Sequence, residues 1–483
     1  MRQPYKKQMT IGSIGIREIE FDLNCRHEII PILVGLQRIY TKPKLLDQIL
    51  EMIKKDVLGQ NKEDRGACGL DYWEILVLAA VRHGCNLDYD ALHDLANNHE
   101  TLRKTLGLGV MDKKRYSKST LHENITKISP ETIKKISDLL IKEGHTLFPK
   151  AIEKVRGDSF VVQTNIHHPT DANLILDGIR TMLCLVCRLA GILLIVGWRK
   201  HGYWWCRAKK LNRRIQRIAS SKKENKNEKL KPLYQELIAI ASDIIKRCKD
   251  TIAAAKKLKK ADTVVNSLID ELAQCIEFTQ KQCDLAHRRI ILDEHIPHKD
   301  KVFSLFEPHT ELINRGKMPY PIEFGHRVLV IQDRAGFILT YQIMDHTTDE
   351  KVVISVMKAL QKRYGGRIIS VSFDKGFWTP DNLKELEKIV QVACLPKKGR
   401  RSQKDSEREG APDFGKARKW HSGIESAIHA LGSGNGLVLC RDKKEEGYKR
   451  YVALGILGRN LQVLGTLLLK KIKKRQKRQA KAA

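Results

Sequence analysis

A chain of 483 residues is too long for one ordinary hydrophobic core, and its length predicts about two to four domains. Lys and Arg total 88 against 56 Asp and Glu, a formal net charge of +32 that is spread along the chain and densest at its end. Such a field favours polyanions. Nucleic acid comes before an anionic membrane, because many cations neutralising phosphates give sequence-independent affinity.

The start M-R-Q-P-Y-K-K-Q-M-T-I-G is polar and lacks the apolar stretch and small-residue cleavage site of a secretory signal, so an intracellular location is expected. The 11 cysteines are odd in number and irregularly spaced, which reads as reduced thiols in a cytosolic compartment. Residues 182–198 form an apolar run, but Arg188 interrupts it and it is short for a bilayer, so a buried helix is expected there and no membrane partner.

In chain order, residues 1–43 read as an extended arm and 44–150 as an all-α domain. L-L-D-Q-I-L-E-M-I-K-K-D-V-L places apolar residues at three- and four-residue intervals, and Asp71 caps a second helix. After D-Y-D-A-L-H-D-L-A comes the basic K-K-R-Y-S-K-S-T-L-H-E-N-I, in which Ser117 or Ser119 caps a helix running toward Ile128. This spacing suits a helix-turn-helix with Arg115 and Lys118 on DNA, a packing hairpin being the plainer alternative. The first convincing strand follows at V-R-G-D-S-F-V-V-Q-T-N and carries Asp158. Residues 174–299 are almost wholly helical and basic, with amphipathic stripes that predict an inserted helical block containing an antiparallel hairpin.

Strand character returns at R-V-L-V-I-Q-D-R and F-I-L-T-Y-Q-I-M-D, joined through Ala335-Gly336 as a hairpin. A helix over 348–363, a strand ending in Asp374, a helix opened by Pro380, a strand at I-V-Q-V-A-C-L-P and a polar loop over 397–416 come next. Glu425 then lies in the helical A-R-K-W-H-S-G-I-E-S-A-I-H-A-L. This order predicts an α/β fold: an RNase H-like catalytic domain (151–173 and 300–465), a mixed sheet flanked by helices, interrupted by the helical block. The tail, 466–483, reads as a solvated, disordered polycation.

An Asp inside or ending an apolar β-run needs a reason to be there, unlike one in a loop. Asp158, Asp374 and Glu425 therefore form a candidate set for two Mg²⁺ ions, since hard oxygen ligands on rigid elements suit ions that clamp attacking and leaving oxygens; Mn²⁺ would substitute. Lys317, Lys375, Arg418, Lys419 and His421 are candidate phosphate contacts. Two rival readings are weaker. Cys184 and Cys187 with His201 and Cys206 give a stretched zinc spacing, but a C-L-V-C in an apolar helix more simply packs in a core. Trp198, Trp204 and Trp205 could stack on an extruded base, with core packing the plainer reading.

The segments V-R-G-D-S-F-V-V-Q-T-N-I-H-H-P-T-D, H-T-E-L-I-N-R-G-K, E-F-G-H-R-V, F-D-K-G-F-W-T-P-D-N, G-I-E-S-A-I-H-A-L and G-R-N-L together resemble insertion-sequence transposases of the DDE type, in particular the ISNCY group and its relatives, over most of residues 40–465. The resemblance implies Asp158, Asp374 and Glu425 as the acidic ligands, and residues 44–130 as the domain that binds and pairs element ends. It implies Mg²⁺-dependent cleavage and 3′-hydroxyl strand transfer on double-stranded DNA, a homodimer in the assembled complex, and a bacterial cytoplasm as location, at the nucleoid. Many such relatives carry Tyr and Arg before the glutamate and Lys seven residues after it; Arg418, His421 and Gly432 stand there in this chain. A metal-dependent nuclease without strand transfer, or an inactive DNA-binding derivative, would carry much of the same sequence.

Overall fold

The computed structural model describes residues 3–5, 14–59, 69–222, 224–258, 262–297, 300–316 and 321–482. The chain forms two compact units, one from residues 1–165 and 313–483, the other from 166–312. In the first, α1 (Ile29–Tyr40), α2 (Pro43–Leu58), α3 (Tyr72–Gly84), α4 (Tyr89–Asn98), α5 (Glu100–Thr105), α6 (Lys118–Ile125) and α7 (Pro130–Leu147) precede strand β1 (Lys154–Thr164). The second unit holds α8 (Asp171–Leu193), α9 (His201–Ala219), α10 (Lys226–Lys257) and α11 (Thr263–Ala286). Then follow β2 (Glu311–Asn314), β3 (Ile322–Asp333), β4 (Ile338–Ile343), α12 (Asp349–Arg363), β5 (Ser370–Ser372), α13 (Pro380–Ile389) and β6 (Val392–Cys394). The chain ends with α14 (Gln403–Gly410), α15 (Pro412–His421), α16 (Gly423–His429), β7 (Leu439–Cys440) and α17 (Lys444–Ala482).

The protein is therefore α/β, with a seven-stranded mixed sheet ordered β2-β3-β1-β5-β6, β4 pairing with β3 and β7 with β1. Strand β1 is antiparallel to β3 and parallel to β5, and β5 is parallel to β6. The expected hairpin is present: Asp333 Oδ1 accepts from the backbone N–H of Gly336 (2.8 Å) and of Phe337 (2.9 Å), closing the turn between β3 and β4. Gly336 sits at φ 100°, open to glycine at little cost.

Several expectations change. The expected N-terminal arm contains α1, whose Ile29, Ile32, Leu33, Leu36 and Ile39 are fully buried; a segment apolar on nearly every side looks extended by alternation but is a core helix. The helices before β1 do not form a core of their own. Ile32, Ile75 and Leu140 share one apolar cluster with Leu329 and Val371 of the sheet, because α17 packs against α1, α3 and α7 and carries Leu457, Leu461 and Leu464 into it. The terminal polycation is no disordered tail but continues α17, with residues 470–481 exposed. Lys, Arg, Gln and Ala are good helix formers, and the buried half of α17 supplies the nucleus that an isolated basic peptide lacks. By length and composition this helix could span a bilayer, yet most of its apolar stretch is buried in the protein's own core. The expected polar loop over 397–416 instead holds α14 and the start of α15. A capping box starts α14: Ser402 Oγ accepts from the N–H of Asp405 (3.2 Å) and Asp405 Oδ2 accepts from the N–H of Ser402 (3.0 Å).

Other signals read correctly. Asp71 and Glu74 form a capping box at α3, and Ser117 caps α6 through the N–H of Thr120 at 3.1 Å. In the second unit the apolar run expected as one buried helix over 182–198 is only partly so: α8 ends at Leu193, and Leu194 and Val196 beyond it are exposed, while α8–α11 bury a common core of Ile175, Ile179, Met182, Leu237 and Leu272. Trp198 is buried there, and Trp204 and Trp205 are half-buried against the same core, which favours packing over base stacking. Cys184 and Cys187 lie a turn apart on α8, with burial pushing the Cys187 thiol up in pKa.

Candidate active site

Strand register brings the first two acidic residues together. Lys154, Val155 and Arg156 of β1 pair in parallel with Ser370, Val371 and Ser372 of β5. Continued two residues further, the same register sets Gly157 beside Phe373 and Asp158 beside Asp374. Asp158 is the fifth residue of β1 and pairs with Val330 of β3 on its other side. Asp374 lies past the end of β5, where it caps a short 3₁₀ turn, Lys375–Phe377, by accepting from the N–H of Lys375 at 2.7 Å.

Glu425 comes from the first turn of α16. The helical run expected around it is broken at Ser422 into α15 and α16, and Arg156 holds the break. Its Nη1 donates to the carbonyl of Trp420 (2.7 Å), its Nε and Nη2 donate to Gln332 Oε1 (2.9 and 2.7 Å), and its guanidinium lies 4.6 Å from the centre of the Trp420 ring. A Cβ on Gly423 would come within 2.2 Å of that guanidinium, so glycine admits the close approach of α16 to β1. The residues flanking the carboxylates therefore interlock: Gly157 with Phe373, and Arg156 with Gly423. Arg156→Lys, which keeps the charge and loses the fork, is expected to lower activity about 10- to 100-fold and to raise the Mg²⁺ concentration needed; a Mg²⁺ titration of DNA cleavage reads both.

Asp158, Asp374 and Glu425 line one cavity of about 440 Å³, together with Ser159, Asn314, Arg315, Arg327, Asp349 and His421. Burial pushes the Asp158 carboxyl up to about 6, with Asp374, Asp349 and Glu425 adding in the same direction against the Ser159 N–H bond. Asp374 and Glu425 are exposed. Among the described residues, no three of these four carboxylates have oxygens all within 4.8 Å of one another. They share one cleft without closing on a single point.

Asp349 is the acidic residue that sequence reasoning missed. It opens α12, where an Asp reads as an ordinary favourable charge at a helix N-terminus. Nothing local marks it as different. In the structure its Oδ1 is buried without a hydrogen-bond partner, its Oδ2 lies 3.6 Å from Arg327 Nη1, and burial pushes its carboxyl up, against the Ser159 hydroxyl bond and Arg327. A buried partnerless carboxylate oxygen in a cleft of hard donors fits a cation site. Asp349→Asn is expected to weaken Mg²⁺ binding about 10-fold or more while β1 and β5 stay paired; isothermal titration with Mg²⁺ alone checks it.

The basic candidates fare differently. His421 joins the cleft, its Nδ1 3.3 Å from Ser372 Oγ, but burial lowers its pKa despite Asp374, so at neutral pH it is an uncharged hydrogen-bonding group and not the expected cation. Arg315 and Arg327 line the cleft in that role, each tied to an acid, Arg315 to Glu323 at 3.3 Å. Lys375 follows Asp374, and Arg418 and Lys419 lie on α15; all three are exposed and none lines the cleft. Arg115 and Lys118 sit with the N-terminal helices, where Arg115 donates to the carbonyl of Asn97 (2.5 Å) and Lys118 pairs with Asp90 (2.5 Å). Lys317 lies outside the described residues.

A larger cavity of about 640 Å³ lies elsewhere in the same unit, between α2, α7 and the turn after α12. Its one carboxylate, Asp138, is bound to Arg363 at 2.8 Å, so it offers no donor set for a metal, and the smaller acidic cleft is where the chemistry gathers. Comparison with known proteins finds no family model, no characterised protein and no solved structure that matches the chain.

Proposed function

We propose that this protein is a metal-dependent DNA transposase of the DDE type, in which Asp158, Asp374 and Glu425 hold two Mg²⁺ ions with Asp349 in support. The observation that carries the reading is that three carboxylates, from β1, the end of β5 and α16, line one cleft, with Asp158 raised by burial and by its acidic neighbours. Sheet topology adds to it. An antiparallel β1-β3-β4 meander followed by parallel β5 and β6, with α12 and α13 between, is the arrangement expected of an RNase H-like domain; residues 166–312 would be a helical insertion after its first strand.

Divalent ions bound there would supply Lewis-acid activation of an attacking water or 3′-hydroxyl and of the leaving oxygen. The chain's own groups do the rest. Arg315 and Arg327 bring positive charge to the rim, where a phosphodiester would enter. Neutral His421 offers a hydrogen bond without competing for the cation position. The net charge of +32 would draw DNA by its backbone, with affinity falling steeply as salt rises. Two element ends would call for two copies of the chain.

The reading is tested by incubating the protein and Mg²⁺ with pre-cleaved duplexes from the DNA flanking its own coding sequence and a supercoiled target plasmid. Joined products are the expected result. Cleavage without joining would leave a nuclease; DNA binding without either would leave an inactive derivative.

A further inference from the structure

In the unit formed by residues 166–312, the segment between α8 and α9 turns aliphatic side chains outward. Leu194 is 87% exposed and Val196 92%, with Ile192 beside them at 41%. Polar residues are the usual occupants of such a position, and solvent contact of this extent wastes apolar surface. The segment is nevertheless fixed. Leu193 and Trp198 are buried on either side, Trp198 Nε1 donates to Thr251 Oγ1 (3.0 Å), and the N–H of Ile195 donates to the carbonyl of Ala190 (2.9 Å). Leu194 also adopts φ 56°, a left-handed conformation that costs a residue with a Cβ roughly 1 kcal/mol and that glycine would take freely. That backbone ends α8, with Leu194 as its C-cap, but an outward leucine beside an outward valine buries nothing in the unit's own core, so their apolar surface is left for something outside it.

The adjoining helix indicates what it meets. Helix α9 contains no Asp or Glu in its 19 residues and exposes Arg207, Lys209, Lys210, Arg213, Arg214 and Arg217. Arg207 pairs with Glu236 at 2.9 Å; among the described residues the other five have no carboxylate within 4.0 Å. Arg199 and Lys200, both exposed, join the apolar tip to this helix, which at 1.5 Å per residue extends about 28 Å.

We propose that this tip is a wedge, with Leu194 and Val196 entering a base step of duplex DNA whose phosphates are held by α9. Aliphatic side chains inserted this way replace lost stacking with apolar contact, while neighbouring cations hold the backbone on either side. A lipid surface fits less well, because the apolar face of α9, Ala208, Leu211 and Ile215, is buried in the unit's own core and cannot lie on a bilayer. The proposal rests on the DNA reading above and adds deformation of the duplex to it.

The test uses the full-length protein, duplexes with 2-aminopurine placed at successive steps, and the double variant Leu194→Ser/Val196→Ser, whose exposed sites leave the core intact. Wild type should raise 2-aminopurine fluorescence several-fold at one step. The double variant should lose that signal while its affinity stays within about threefold, since phosphate contacts dominate affinity. Arg213→Glu/Arg214→Glu should weaken binding to all duplexes and flatten the salt dependence. Asp158→Asn should keep the unstacking signal, which separates the wedge from the catalytic reading. DNA binding with no unstacked step, or a signal that survives the double substitution, overturns the wedge. No DNA binding at low salt overturns both readings. Binding to vesicles of phosphatidylglycerol and phosphatidylcholine, lost in the double variant while DNA stays stacked, assigns the tip to a membrane and overturns the proposal.

Discussion

Asp158→Asn is expected to abolish metal-dependent DNA cleavage and, in the same molecule, to make the metal-free protein more stable at pH 8. Loss of a carboxylate ligand should cost roughly 10³-fold or more in rate, beyond what one removed electrostatic donor costs. The stability gain follows from linkage. The Asp158 carboxyl is raised from 3.8 to about 6, so the folded protein prefers it neutral. Stability from this group is fully present below the unfolded value near 4 and is lost as pH rises through about 6. Above that pH the metal-free protein carries a desolvated charge facing Asp374, Asp349 and Glu425. Asparagine removes it. The difference in unfolding free energy between variant and wild type should be about 3 kcal/mol at pH 8 and shrink toward zero by pH 4. Saturating Mg²⁺ should reverse the order, stabilising wild type and leaving the variant unmoved. Denaturant melts at pH 4, 6 and 8, with and without Mg²⁺, check all three statements. A variant less stable than wild type in metal-free buffer at pH 8 would mean that Asp158 serves folding and not a cation.

Much of this cleft was legible in the sequence, for a physical reason. A carboxylate inside an apolar β-run contradicts its surroundings, as Asp158 does in β1; Asp374 was marked by the apolar run before it, although it lies two residues past β5, and Glu425 was found through its motif context. Asp349 could not be found that way, because its local setting, the first turn of a helix, is one that Asp ordinarily favours. Only the tertiary approach of α12 to β1 makes it unusual. Arg156 is a similar case: one more basic residue among 88 until the structure shows its fork on Gln332 and the Trp420 carbonyl. The misread segments share a cause too. The N-terminal stretch, α14 and the far end of α17 were judged by local polarity or alternation, whereas α1 and α17 derive their helicity from a common buried core and α14 from its capping box.

Gly157→Val should uncouple the two aspartates without touching either. A Cβ on Gly157 would lie 2.4 Å from Phe373 Cε1 and 3.0 Å from Cδ1. The ring cannot step aside cheaply, since Phe373 is 1% exposed and its centroid lies 4.9 Å from that of Phe377. Relief must come from separating β1 and β5 just where their register sets Asp158 beside Asp374. Overpacking of this kind costs about 1–3 kcal/mol for a methyl group and more for valine. A misplacement of about 1 Å at a reacting centre costs on the order of 10²-fold in rate. Gly157→Ala should therefore lower the midpoint of denaturant unfolding measurably and activity by about 100-fold, with valine worse on both counts. Gly415→Ala is the matched control, because nothing lies within 4 Å of its Cβ position on α15 and alanine favours a helix. Phe373→Leu opens space at the ring and, combined with Gly157→Ala, should recover part of both losses. The recovery is the decisive result: a double variant no better than the product of its single effects would show that glycine is needed at 157 for some reason other than the ring. Recovery would establish that the packing of one glycine against one phenylalanine sets the separation of the carboxylates, and so the geometry in which any pair of cations is held.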